Sequence, residues 1–260
     1  SKMIIDSHCH LDYEPLFKDL KGVLDRALKN NIRYFLTIST TDKNFNKIEE
    51  ILKTFDPVYG TYGIHPHETK FHTNIDHKYI LAKINSNKKI IGVGETGLDF
   101  YYNHSNKNIQ KKLFLEHIKA AQISGLPIIV HTRNAEKETF NILNTEFNKK
   151  KFKILLHCFT GTKEFAQKML KLESFISASG IVTFKKSKEL SDIFKDLPLD
   201  KIIVETDSPY LSPDPLRGKT NEPSHIIHTV KHLARIKGIN EEEFSKVTSS
   251  NFFNLFGKLN

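Results

Sequence analysis

The sequence predicts an α/β chain wound as a (β/α)8, or TIM, barrel. Three observations carry that expectation. Eight short apolar runs, most of four to six residues, alternate with eight amphipathic segments across 260 residues. The runs are rich in Ile and Val and almost continuously apolar, the pattern of parallel strands buried on both faces. No glycine-rich phosphate loop follows the first run, which disfavours the runner-up, a doubly wound open sheet.

The elements follow in order. Residues 3–7 form the first strand, and an amphipathic helix over 15–30 returns the chain. Residues 34–39, Tyr-Phe-Leu-Thr-Ile-Ser, form the second strand, followed by a helix over 44–54. The third strand, 58–63, precedes a helix over 75–86. The fourth, 90–95, precedes a helix over 108–125 that Gly125 stops, with Pro127 opening the next strand. Strands over 127–131, 154–157, 175–177 and 202–205 complete the set, with helices over 135–147, 163–172, 188–196 and 225–238 between and after them. A closing helix over 241–256 extends past the eighth unit. No linker, low-complexity tract or composition shift appears, so residues 1–260 read as a single barrel domain.

Composition narrows the class. Hydrophobic residues make up 38% and charged residues 27%, ordinary for a globular chain and unlike a disordered or fibrous one. No run of eighteen apolar residues exists, so neither a transmembrane helix nor membrane association is expected. The N-terminal residues lack the apolar segment of a signal peptide. Only two cysteines, Cys9 and Cys158, are present, which fits a reducing, cytoplasmic setting. The net charge is +9, from 39 Lys+Arg against 30 Asp+Glu. Such an excess attracts a polyanion. Yet Arg occurs only at 26, 33, 133, 217 and 235, and the Lys-rich remainder is what AT-rich coding DNA would give. Composition alone favours this plainer origin.

In a (β/α)8 barrel the active site sits where strands end. Here the first strand runs into His8-Cys9-His10, the fourth ends at Glu95, the fifth at His131, the sixth at His157, and the eighth at Glu205-Thr206-Asp207. Alternation turns His8 and His10 the same way, pairs Asp207 with Glu205, and sends Cys9 outward, with Cys158 expected to follow as a small buried filler. A lone strand-end His is more often a hydrogen-bonded core residue than a ligand. Four imidazoles and two carboxylates at one rim are another matter, because such groups rarely enter a barrel without pairing or a metal. Two ions need a bridging ligand, and a carboxylate bridges more readily than an imidazole. Glu95 stands between the first-strand pair and the later histidines. One ion is therefore assigned to His8, His10, Glu95 and Asp207, and the other to Glu95, His131 and His157. Two such ions can hold a bridging hydroxide for attack, with Asp207 orienting it and taking its proton. Glu95 and Asp207 are the catalytic candidates.

At this point the chain resembles a known family, the TatD-type metal-dependent deoxyribonucleases of the amidohydrolase superfamily. The matching pieces are Asp6-Ser7-His8-Cys9-His10-Leu11-Asp12, Gly63-Ile64-His65-Pro66-His67, Gly94-Glu95-Thr96-Gly97-Leu98-Asp99, Val130-His131-Thr132-Arg133, His157-Cys158-Phe159-Thr160-Gly161, Glu205-Thr206-Asp207-Ser208-Pro209 and Arg217-Gly218-Lys219-Thr220-Asn221-Glu222-Pro223. Each glycine-bearing piece is weak alone; in this order at strand ends they are specific. The resemblance implies an amidohydrolase-like barrel, hydrolysis of DNA phosphodiesters, often from the 3′ end, and a divalent metal. It also supports the six ligands above. Thr96 stands where the family commonly has Ile, and Ser224-His225 where it commonly has Ala-Tyr.

Around the ligands, Arg133 shares the parity of His131 and is expected to hold a phosphate oxygen. His65 is expected to hydrogen-bond the phosphate or leaving oxygen, whereas His67 reads as a loop residue. Glu205 and Asp6 are expected to orient ligand histidines or a water. Arg217, with Lys219, Asn221 and Glu222, either closes over the nucleotide or ties its loop to the barrel. Metal identity stays open between Mg, Mn and Zn: four imidazoles suit Zn or Mn, family activity is described with Mg. The substrate partner expected is DNA, single-stranded or at 3′ ends, with RNA possible; oligomeric state is not readable. The alternative on the same site is a D-aminoacyl-tRNA deacylase or another ester or amide hydrolase. A non-catalytic nucleic-acid-binding barrel gives no reason to gather six ligands. Much of the positive charge falls at the bottom of the barrel (Lys88, Lys89, Lys149, Lys150, Lys151, Lys153). The top-rim candidates are Lys43, Lys185, Lys186, Lys188, Arg217 and Lys219.

Overall fold

The computed structural model describes residues 3–259. Eight strands, β1 (Ile4–Cys9), β2 (Ile32–Thr37), β3 (Val58–Tyr62), β4 (Ile90–Asp99), β5 (Ile128–Arg133), β6 (Ile154–Leu156), β7 (Phe175–Ala178) and β8 (Ile202–Val204), lie side by side in chain order, each parallel to the last. Between them run α1 (Leu20–Lys29), α2 (Phe45–Thr54), α3 (His77–Asn85), α4 (Lys107–Ser124), α5 (Glu136–Lys149), α6 (Lys163–Leu170) and α7 (Lys188–Asp196); α8 (Ile226–Lys237) and α9 (Glu241–Leu255) follow β8. The barrel closes where β1 meets the segment after β8. The Asp207 N–H donates to the His8 carbonyl at 2.8 Å, and the His10 N–H to the Ser208 carbonyl at 2.9 Å. The Ser7 hydroxyl donates to the Val204 carbonyl at 2.8 Å.

Two apolar layers hold this shape. The outer one lies between strands and helices and takes one face of most helices, such as Val23, Leu24 and Ala27 of α1. The inner one fills the barrel with Ile5, Leu36, Ile91, Ile129, Leu155 and Ile203. Phe252, Leu255 and Phe256, in α9 and just after it, join the inner layer. Polar ties set α9 against the N-terminal ends of the strands. The Ser249 hydroxyl donates to the Met3 carbonyl at 2.7 Å, and the Asn251 amide to the Leu199 and Ile202 carbonyls at 2.9 and 2.8 Å. The closing helix therefore plugs the bottom of the barrel, and the strand C-termini are left as the open end.

Local chemistry explains the element ends. Asp76, Asn106, Thr162 and Asn240 cap α3, α4, α6 and α9 by accepting main-chain N–H groups. Gly125 and Gly238 end α4 and α8 at positive φ. Two departures from the sequence expectation bear on function. β4 runs on to Asp99, four residues past its expected end, and a 3-10 helix over Pro66–Phe71 follows β3.

Candidate metal centre

Strand geometry brings the functional side chains to one point. On β5 and β6 simple alternation suffices: Ile129 faces the inner core and His131 lies two residues above it, as His157 does above Leu155. Glu205 likewise follows Ile203 of β8. β1 breaks the rule. Its register with β2 shifts between Asp6 and Cys9, so Ile5 packs in the inner core and yet His8 also faces the centre. Cys9 turns outward, its thiol 3.5 Å from the Leu36 carbonyl. On β4 the glycines are obligatory. Gly94 and Gly97 have φ of 141° and 140°, and a Cβ on Gly97 would sit 1.9 Å from the His131 carbonyl oxygen. Their bare backbone lets β4 press against its neighbours while Glu95 reaches the centre.

Glu95 is the hub. Its Oε1 lies 3.3 Å from His8 Nε2. Its Oε2 faces the other side, 3.2 Å from His131 Nδ1, 3.4 Å from His157 Nε2 and 3.5 Å from His65 Nε2. Asp207 Oδ1 lies 3.4 Å from His8 Nε2 and 3.1 Å from His10 Nε2. The Asp207 side chain is 14% exposed against 3% for Glu95, so Asp207 is the carboxylate that opens to the cavity. That cavity, of about 530 Å³, is also lined by Tyr13, His65, His67, Arg133, Cys158 and Tyr210.

The donor set fits divalent cations. Among the described residues, neither ring nitrogen of buried His8 has a hydrogen-bond partner, nor does His10 Nδ1, an expensive state that a cation on the lone pair of each ring would relieve in part. Sets of three ligand atoms close enough for one ion include His8–His10–Glu95, His8–His157–Asp207 and His65–Glu95–His131. Tautomers choose among the histidines. His157 Nδ1 donates to Glu205 Oε2 at 2.8 Å, leaving Nε2 as the atom that faces the centre. His131 Nε2 donates to Asp99 Oδ2 at 2.8 Å, leaving Nδ1 toward Glu95. His65 Nδ1 instead accepts the His67 main-chain N–H at 3.1 Å, so its inward Nε2 carries the proton and cannot ligate. His131 and His157 are thus prepared as ligands and His65 as a donor.

The electrostatics agree. Burial alone would raise the Glu95 carboxyl, but His157, His65, His131 and His8 outweigh it and hold it well below the carboxylate range. Burial would lower His157, but Glu205, Glu95 and Asp207 push it up to about 10, so Nε2 also holds a proton at neutral pH and a cation bound there would take that proton's place. His8 goes down, by burial and by the His157 ring stacked on it at 3.5 Å. The carboxylates keep their charge and call for cations; His8 stays neutral and holds one free lone pair.

Several expected residues sit differently. Asp6 does not touch an imidazole. It accepts from the His8 and Thr206 main-chain N–H groups at 3.2 and 3.0 Å and from the Thr206 hydroxyl at 2.6 Å, because it points across the β1–β8 seam. Arg217 does not line the cavity; its guanidinium stacks 3.8 Å over Phe184. Its neighbours tie the loop down: the buried Asn221 amide donates to the Thr206 and Tyr210 carbonyls, and Glu222 pairs with Arg26 at 2.8 Å. Cys158 is no buried filler. It follows β6 with φ of 45° and lines the cavity, its thiol 3.3 Å from the Ser179 hydroxyl. Arg133 is exposed at the cavity edge over Tyr101 and has no carboxylate partner among the described residues. His67 belongs to the site rather than to a remote loop, 3.0 Å from Asp99 Oδ2.

Two residues escaped sequence reasoning. Asp99 was given no role: it closes the motif Gly94-Glu95-Thr96-Gly97-Leu98-Asp99 but lay beyond the expected end of β4, and its shared parity with Glu95 was the signal for an inward side chain. His117, on α4, is fully buried; its Nδ1 donates to the Leu113 carbonyl and its Nε2 accepts the Ile64 N–H at 3.0 Å, fixing the main chain just before His65. Only long-range packing reveals that link.

A (β/α)8 barrel with strand-end imidazoles gathered on a buried carboxylate defines a metal-dependent hydrolase. Comparison with known proteins narrows the class. The family described as TatD related DNase matches residues 5–257. An uncharacterized metal-dependent hydrolase of Buchnera aphidicola (from Acyrthosiphon pisum) is 41% identical over 261 residues, covering 97% of this chain and 98% of that one. The uncharacterized metal-dependent hydrolase YcfH of Escherichia coli K12 is 38% identical, covering 97% and 95%. The solved structure of YjjV, a TatD homologue from Escherichia coli K12, superimposes with a TM-score of 0.91 at 24% identity, covering 98% of each chain. The chain belongs to the TatD family of metal-dependent hydrolases.

Proposed function

We propose that this protein is a divalent-metal-dependent deoxyribonuclease, a 3′–5′ exonuclease that acts on single-stranded DNA or DNA 3′ ends in the cytoplasm. The observation that carries the reading is the division of Glu95. One oxygen faces His8 and the other faces His131 and His157, as a carboxylate shared by two cations requires. His8, His10, Glu95 and Asp207 would hold one ion and Glu95, His131 and His157 the other, with Mg, Mn or Zn as candidates. When bound, such ions supply Lewis acidity to the phosphoryl oxygens and to water. The rest falls to the chain. Asp207, the more open carboxylate, orients the attacking water and accepts its proton. The water oxygen bonds to phosphorus, the P–O3′ bond breaks, and O3′ leaves with a proton from solvent. Burial lowers His65 to about 3, so it is a neutral Nε2–H donor to a phosphoryl oxygen. Arg133, exposed at the cavity edge, holds the neighbouring phosphate. Asp99 and Glu205 act through His131 and His157. The family description names a DNase, and two unpaired cysteines suit a reducing compartment.

The test is digestion of 3′- and 5′-labelled DNA and RNA, beside a D-aminoacyl-tRNA, across Mg, Mn and Zn. Release of mononucleotides from the 3′ end of DNA is expected, with loss in Glu95→Gln and Asp207→Asn. Deacylation without DNA cleavage would overturn the reading in favour of the ester-hydrolase alternative.

A further inference from the structure

Beside the metal cavity stands a shelf of exposed aromatic rings that the hydrolytic chemistry does not use. Tyr101 and Tyr102 are 53% and 44% exposed and meet edge to face at 4.6 Å. Half-exposed rings at a polar rim carry a hydration cost that a ligand can remove. The shelf is built rather than loose. Buried Gln110 clasps both ends of its loop, donating to the Asp99 and Ser105 carbonyls at 3.1 and 2.9 Å and accepting the Asp99 N–H at 2.8 Å. Asp99 joins shelf to centre, because its Oδ1 accepts the Tyr101 N–H at 3.0 Å while its Oδ2 accepts from His131. Arg133, which lines the cavity, lies 3.9 Å over the Tyr101 ring and 5.2 Å from that of Tyr102.

We infer that Tyr101 and Tyr102, with Arg133, form a base-stacking subsite for an unpaired nucleotide of the substrate strand. The inference rests on the phosphodiesterase reading and names the form of substrate it takes. A single-stranded polynucleotide offers at each step one phosphate and one π-face, and the shelf offers one guanidinium and two rings. Turning the Arg133 guanidinium onto a phosphate frees the Tyr101 face for the attached base. On the opposite flank Tyr210, 54% exposed and 6.4 Å from the His10 ring, supplies another face at the cavity edge. Bases in a duplex already stack on each other and are paired, so the shelf selects strands that are open near the scissile bond.

The experiment compares wild type with the Tyr101→Ala/Tyr102→Ala and Tyr101→Phe/Tyr102→Phe double variants. Substrates are a single-stranded oligonucleotide, its duplex, and bis(4-nitrophenyl) phosphate, a diester with no base. The alanine pair is expected to raise KM for the single strand at least about five-fold, the lower bound for one lost stack. Its kcat on that strand and its rate on the small diester should stay within two-fold of wild type, and the phenylalanine pair should behave as wild type. An unchanged KM on DNA that is still cleaved refutes the shelf alone. Equal losses on the small diester or on duplex also refute stacking, since they indicate damage to the centre or simple charge attraction. Wild type that cleaves the small diester but no DNA overturns the phosphodiesterase reading and the shelf with it.

Discussion

Replacing Glu205 by Gln isolates the claim that His157 is prepared as a ligand. Glu205 is fully buried, and each of its oxygens accepts one bond: Oε2 from His157 Nδ1 at 2.8 Å and Oε1 from the Cys158 N–H at 2.9 Å. An amide has a single acceptor oxygen, so in Glu205→Gln one of the two donors faces an NH2 group. The Cys158 main chain is fixed, so the imidazole is the partner that gives way. It can then carry its proton on Nε2, toward Glu95, where the ligand lone pair is needed. A hydrogen bond to a charged acceptor contributes about 1.5–3 kcal/mol, which corresponds to roughly 10–150-fold in an equilibrium constant. Titrating activity against Mn(II) should move the half-saturating concentration up about 10–100-fold. Activity at saturating metal should return to within a few-fold of wild type. Circular dichroism confirms that the variant folds. A folded variant with an unchanged metal midpoint would refute the tautomer argument.

The other expectations concern stability, pH and substrate. Phe256→Ala removes a fully buried ring from the plug of the barrel and should cost about 3–5 kcal/mol in urea unfolding, with metal binding preserved at low temperature. Burial lowers His117 to about 4 from its ordinary 6.5. The unfolded chain therefore takes up this proton below pH 6.5 and the folded chain only near pH 4. Stability is complete above pH 6.5 and falls by about 3 kcal/mol as pH drops through that window. Unfolding of His117→Gln, measured beside wild type at several pH values, should lack this component; identical slopes would contradict it. Arg133→Ala should raise KM for DNA about ten-fold and lower the slope of log KM against log salt by about 0.7, the loss of one phosphate contact to a single strand.

How far the sequence foretold this molecule depends on the length scale of each feature. Strands announced themselves because burial on both faces leaves an unbroken apolar run, and His131 and His157 follow from alternation above Ile129 and Leu155. The inward turn of His8 has a cause no pattern displays. A register shift, set by pairing with β2, moves it to the side of Ile5. Asp99 was hidden by the length of β4, whose late part pairs with β5 at Leu98–Thr132 and Asp99–Arg133 and contains Gly97. Gly97 is there a close contact within the strand, its bare backbone making room for the His131 carbonyl. The loop after β8 was open between substrate and scaffold, and the contacts of Asn221, Arg26–Glu222 and Arg217–Phe184 show what ties it to the barrel. Charge behaved as its position in the barrel suggested for at least one group: Lys89, at the bottom, spends its ammonium on the Leu52, Phe55 and Asp56 carbonyls in the last turn of α2 and just after it. Near the top, Lys188 is paired with Asp192 at 3.1 Å, whereas Lys186 lines the cavity that continues past Arg133 and Cys158 toward α7.

The most direct test of the account is the Mn(II) stoichiometry of the metal-stripped protein by calorimetry, wild type beside Glu95→Gln. If one carboxylate is shared between two ions, wild type takes up two per chain, and the variant, with an amide in place of the bridge, fails to hold the pair. A single ion in wild type, or two ions held equally well by Glu95→Gln, contradicts a centre built around Glu95.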